Sequence, residues 1–170
     1  MTYGTGNGAG EIYGRAGAMR TQGELASLQG TADRLARLRE FMNNNECPDV
    51  GASAADWYGF LAVFKTILGN ASNALSLVSC LMAKDYLSSQ FHIVPFDVAE
   101  KPQGAKGLDI DARTVSGERI IGEIKTTVPY KGTQFGAAQI TALRKDFAKL
   151  QANEAPHKYM FVTDQAAFEA

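Results

Sequence analysis

The sequence predicts a mixed α/β protein in which a helical region precedes a small mixed sheet. Three observations carry that prediction. Between residues 23 and 90 apolar side chains recur at three- and four-residue steps. Between 107 and 127 two β-type runs flank a Ser116-Gly117 turn. Beyond that hairpin, a helical stretch at 136–152 leads into an apolar β run at 159–163. The element order is therefore helices, then strand, strand, strand, helix, strand. The crossover from Thr127 through the 136–152 helix to Tyr159 implies that the last strand pairs parallel with the second hairpin arm, as in a βαβ unit.

With 170 residues the chain is long enough for one ordinary domain with a substantial core. Residues 1–22 read as a flexible Gly-rich arm, 23–90 as a helical region, and 91–170 as the core that carries the hairpin. The GTGNGAG run in the arm has no strand before it and fits neither the dinucleotide nor the Walker spacing. Arg15 and Arg20 of the arm could touch a partner.

From about Gly23 to Asn43, Leu25, Leu28, Leu35, Leu38, Phe41 and Met42 form one stripe, with Arg34, Arg37 and Arg39 on solvated faces. Ser53, with Asp56 three residues on, is an N-cap for a helix that runs to about Leu68 and stops at Gly69-Asn70. Trp57, Tyr58, Phe60 and Phe64 sit at helical spacing and are expected in the core. A broadly apolar helix follows from about Ala71 to Gln90, with Leu75, Leu77, Val78, Leu81 and Leu87, expected to pack on both sides or in a dimer interface. Phe91 to Val98 is the expected first strand, placed at an edge or bent by Pro95. In the 136–152 helix Ile140, Leu143, Phe147 and Leu150 are expected inward, and Arg144, Lys145 and Lys149 outward. The stretch Gln165–Ala170 begins another helix that stops almost at once, which suits a complete chain or a piece of a longer one.

Cys47 and Cys80 have no metal-type spacing, and His92 and His157 are isolated, so reduced thiols and no structural zinc are expected. No signal-peptide core and no uninterrupted span of transmembrane length is evident, which points to a cytoplasmic protein without membrane partners. Residues 101–150 hold nine Lys/Arg against five Asp/Glu, whereas 1–100 hold seven against ten. The positive excess thus surrounds the hairpin and favours phosphate.

The hairpin is unusual in its charges. Asp109 and Asp111 lie on one arm and Glu123 and Lys125 on the other, each pair spaced by two and so on one face of its strand. A two-residue loop would send the carboxylates of the two arms to opposite faces. A three-residue loop, Val115-Ser116-Gly117, puts glycine at the left-handed last position and sets Asp109 opposite Glu123. Shifting the loop by one residue would set Asp111 there instead, but would force Glu118 into the left-handed position.

Facing carboxylates repel unless a cation lies between them, and Mg²⁺ often takes only one or two carboxylates, with water and phosphate completing its shell. Lys125 beside that ion would orient a water and offset charge on a phosphate. The grouping suits metal-assisted phosphodiester hydrolysis.

Asp109 followed by Glu123-Ile124-Lys125 resembles the signature of the PD-(D/E)xK nuclease superfamily, with Leu108 where the family name has Pro. The resemblance covers roughly the second half of the chain. It implies a restriction-endonuclease-like core: a four-stranded mixed sheet flanked by helices, here preceded by the N-terminal helical region. It implies Mg²⁺ (or Mn²⁺) held by Asp109, Glu123 and the backbone carbonyl of Ile124, with Lys125 assisting the attacking water and Asp111 an alternative ligand. The expected activity is DNA cleavage by a restriction endonuclease or close relative, commonly as a homodimer. Lys101, Lys106, Lys131, Arg144 and Lys145 are the expected DNA contacts, and Glu100 a possible outer ligand. The alternative is a DNA-binding or assembly module of the same fold that does not cut.

Overall fold

A computed structural model describes residues 18–101, 106–129 and 134–169. The chain divides into two compact units, one built chiefly from Cys80–Phe96 and Gly107–Ala170, the other from Arg20–Ser79 and Asp97–Lys106.

The second unit is helical. Helix α1 (Gln22–Asn44) starts at Thr21, whose side chain accepts from the Glu24 N–H while the Glu24 carboxylate accepts from the Thr21 N–H. Glu24 is fully buried because its other oxygen accepts from the Val98 N–H at 3.1 Å. Helix α2 (Ala54–Leu68) has the expected Ser53/Asp56 capping box and ends at Gly69, whose N–H donates to the Lys65 carbonyl. Phe41 of α1 packs on Phe60 of α2 with ring centroids 5.1 Å apart. The apolar stripes are less buried than their periodicity predicts. Leu25, Leu35, Met42, Tyr58 and Leu61 are all exposed, because an apolar stripe is hidden only where a partner element covers it.

Helix α3 (Ala71–Gln90) contributes its first half to this unit and its second half to the sheet unit. Leu75 and Val78 in the first half are exposed, whereas Leu81, Ala83 and Leu87 in the second are buried. Within one chain the second half is therefore core, whereas the first half is left uncovered at Leu75 and Val78, the face for which a dimer interface is the remaining expectation. From Ala54 to Gln90 an 18-residue window reaches a mean hydropathy of 1.3, and 17% of it is buried, so by length and composition this stretch passes for a membrane span.

The sheet unit is a mixed α/β arrangement around a three-stranded sheet of order β1-β2-β3, with β1 (Ile110–Arg113) antiparallel to β2 (Arg119–Lys125) and β2 parallel to β3 (His157–Val162). Helix α4 (Ala137–Ala152) makes the crossover, and α5 (Gln165–Glu169) closes the described chain. The parallel pairing is the one the crossover predicts.

The expected first strand at 91–98 does not form. It touches the hairpin through one bridge, Ile93 to Thr114, with the Val94 N–H on the Arg113 carbonyl and the Val115 N–H on the His92 carbonyl. Pro95 follows at once, and its ring holds φ near −65°, well short of strand values, so the pairing stops there.

The hairpin register follows glycine placement. Ile110 pairs with Gly122 and Arg113 with Arg119, and the Thr114 N–H donates to the Glu118 carbonyl, leaving Val115-Ser116-Gly117 as the loop. Gly117 has φ +92°, a conformation that other residues adopt only with strain.

Strand β2 separates two layers. On one face Ile120, Gly122 and Ile124 lie beside His157, Tyr159 and Phe161 of β3, and Tyr86 and Phe91 pack edge-on or tilted against those rings. A Cβ on Gly122 would lie 3.1 Å from the Phe161 ring and 3.4 Å from the Ile110 Cβ. Gly122→Val is therefore expected to cost about 1–3 kcal/mol through overpacking, read as a lower urea midpoint; an unchanged midpoint would show that Phe161 moves freely. The opposite face carries Ile121, Glu123 and Lys125 and is covered by α4.

Candidate metal centre

The site is assembled where β2 passes under α4. The observed register places Asp109, one residue before β1, across from Glu123, and the Ile124 N–H donates to Asp109 Oδ2 at 2.9 Å. Along a strand the N–H and C=O of one residue project to the same side, so the Ile124 carbonyl is directed to the Asp109 side of β2. Asp109 is exposed, while Glu123 is 2% exposed.

Helix α4 supplies two further charged residues. Lys149 Nζ lies 3.1 and 3.2 Å from the two Glu123 carboxylate oxygens and 3.3 Å from Asp146 Oδ1. The other Asp146 oxygen pairs with Lys125 Nζ. Asp146 is buried, so the group runs Glu123, Lys149, Asp146, Lys125 as an alternating chain of charge, with Asp109 at its solvent end. Neither Asp146 nor Lys149 was assigned to the site from sequence, and Lys149 faces inward where the helical pattern predicts it outward. The inward turn follows from what α4 covers, a strand face bearing Glu123 and Lys125. Ile140 and Phe147, expected inside, are exposed for the same reason. A signal was present: Asp146 lies on the stripe between Leu143 and Leu150, three residues from one and four from the other.

Burial pushes the Glu123 carboxyl above its ordinary value of 4.5; the Lys149 hydrogen bond opposes this, and the neighbouring Asp109 and Asp146 charges add to it. Desolvation pulls the Lys149 ammonium down, but its bonds and charge pairing with Glu123 and Asp146 outweigh that and leave it raised. Between the ordinary and the raised value of Glu123 the native state binds more protons than the unfolded state, so this contribution to stability falls as pH rises through that window and is level above it. Glu123→Gln should remove that slope. Urea midpoints of both proteins from pH 4 to 8 check it: the wild-type value should drop relative to the variant as pH rises, and parallel profiles would discard the assignment.

Asp111 lies opposite Ile121 and is held by Arg119 through bonds of 2.9 and 2.7 Å, which draw its carboxyl below the usual range, so it is committed to that ion pair. Arg144 and Lys145 are exposed on α4. Lys101 and Lys106 belong to the helical unit, as does Glu100, and Lys131 lies outside the described residues. Gln139 is used within the fold: its carbonyl accepts from the Gly136 N–H at the start of α4, and its amide donates to the Val128 carbonyl.

Comparison of the chain with protein-family models, with curated proteins and with solved structures gives no match. The chemistry of the donor set therefore stands on this geometry. Among the described residues no three Asp, Glu, His or Cys side chains stand close enough together to hold an ion. Magnesium asks for less, one or two carboxylates with water and phosphate, and the Asp109–Glu123 pair beside the Ile124 carbonyl is a donor set of that kind.

Proposed function

We propose that the protein is a Mg²⁺-dependent endonuclease that cuts DNA, related to restriction endonucleases and acting in the cytoplasm as a homodimer. The observation that carries this reading is the hairpin register, which sets Asp109 against the buried Glu123, with Lys125 two residues on along the same face. The mixed sheet with a parallel β2–β3 pair supports a restriction-endonuclease-like core, in which the segment at 91–98 would take the place of the remaining strand.

Asp109, Glu123 and the Ile124 carbonyl would hold the ion, which in such a site acidifies a bound water and polarises the phosphate. Lys125 would orient the attacking water and offset charge growing on the phosphate, and Asp146 would hold Lys125 in place. Mn²⁺ would serve in the same donors. Arg144 and Lys145 offer exposed charge for the DNA backbone, and the resemblance adds Lys101, Lys106 and Lys131 to the contacts by sequence position. The exposed apolar residues Leu75 and Val78 favour the dimer.

One observation favours a second reading, a DNA-binding or assembly module of the same fold without cleavage. Glu123 and Lys125 are both already paired with residues of α4, as in a structural ion-pair network. Calorimetric titration of Mg²⁺ and Mn²⁺ into the wild type and the Asp109→Asn/Glu123→Gln double variant, with plasmid cleavage on the same samples, separates the two. Binding and cutting that vanish together in the variant are expected. Metal binding by the wild type without cleavage of any DNA would favour the second reading.

A further inference from the structure

Glu123 cannot stand alone. A carboxylate that is 2% exposed needs a cation or N–H donors beside it, because removing its charge from water costs several kcal/mol unless it is compensated. The cation in this structure is Lys149, whose ammonium lies 3.1 and 3.2 Å from the two carboxylate oxygens that a metal ion would need. We propose that Lys149 is an exchangeable counter-ion of the metal site: a divalent ion takes Glu123 only by displacing the Lys149 ammonium, which passes to Asp146. This rests on the metal-binding reading of Asp109 and Glu123.

Three features support the exchange. First, Lys149 already touches its second partner, with Asp146 Oδ1 3.3 Å from Nζ, so leaving Glu123 does not strand the charge. Second, its side chain is 35% exposed, against 21% for that of Lys125, so it has solvent to retreat into. Third, the charges balance only if it leaves. Asp109 and Glu123 with Lys149 beside them total −1. Adding a divalent ion brings that group to +1, whereas the same ion with Lys149 moved off Glu123 onto Asp146 leaves the two carboxylates and the ion neutral. Like charges a few ångströms apart in a partly desolvated site repel strongly, so the ion and the ammonium compete rather than share. Lys149 is thereby a positioning residue. It keeps Glu123 ionised and in place before the metal arrives and sets the affinity with which metal is taken.

The test is metal affinity. Mn²⁺ and Mg²⁺ are titrated calorimetrically into wild type, Lys149→Gln and Lys149→Arg, and each protein is melted with and without metal. Lys149→Gln keeps an N–H donor for Glu123 but lacks the charge. It should bind metal at least about tenfold more tightly than wild type, melt lower without metal and gain more from it. Lys149→Arg, which keeps the charge, should stay close to the wild-type affinity. Equal or weaker binding by Lys149→Gln, with the wild type still binding, overturns the exchange and leaves the metal site standing. Absence of binding in both wild type and Lys149→Gln overturns the exchange together with the metal reading on which it rests.

Discussion

Glu123→Gln is expected to lower metal-dependent DNA cleavage by about a hundredfold or more while leaving the protein folded. The two halves of that result have separate causes. Folding survives because Gln has the shape of Glu, and its amide oxygen can still accept from Lys149. The position is also one where burial already opposes the charge, so a neutral side chain is tolerated. Cleavage does not survive because a neutral amide is a poor ligand for a hard divalent ion and leaves Asp109 as the only carboxylate at the hairpin end. Initial rates on plasmid, with circular dichroism and a melt on the same samples, give the answer. A folded variant with wild-type rates would remove Glu123 from the chemistry.

Asp146→Asn should show the largest stability change at the site, a loss of about 2 kcal/mol near neutral pH. Asp146 is 6% exposed and accepts from two ammonium groups, Lys125 and Lys149. Removing its charge leaves two cations facing each other across a neutral amide. Breaking a fully buried pair costs about 3–5 kcal/mol, and the partial exposure of both lysines makes the expected figure smaller. The same variant should cleave more slowly, because Lys125 loses the group that fixes its position. A denaturant midpoint unchanged by Asp146→Asn would show that solvent holds the two lysines equally well.

Much of the fold could be read from sequence wherever one local cause decides the outcome. Gly117 at a left-handed position decided the hairpin register, and with it the placement of Asp109 opposite Glu123. Ser53 and Asp56 decided the start of α2, and the length between the hairpin and Tyr159 decided the parallel pairing. Failure came where the outcome depends on what lies opposite. Periodicity assumes that the covered face of a helix is apolar, whereas α4 covers a strand face bearing Glu123 and Lys125 and answers it with Asp146 and Lys149. The stripes of α1 and α2 predict burial, yet Leu35 and Tyr58 remain in solvent, because a pattern specifies a face and says nothing of whether a partner covers it. The strand expected at 91–98 had the right composition, and Pro95 limited it to a single bridge.

Strand β2 carries its chemistry in a reading frame of two. Residues 120, 122 and 124 belong to the aromatic layer and 121, 123 and 125 to the ionic one, so a slip of a single residue would drive Glu123 among the rings of Tyr159 and Phe161 and turn Ile124 toward Lys149. What holds the frame is the turn, six residues upstream of Glu123, where Gly117 closes a loop of three. A glycine that touches none of these charged groups thus sets the phase of Asp109, Glu123 and Lys125 on the hairpin. Lengthening or shortening that loop by one residue would be the equivalent of a frameshift, with the composition of the strand intact and its meaning lost.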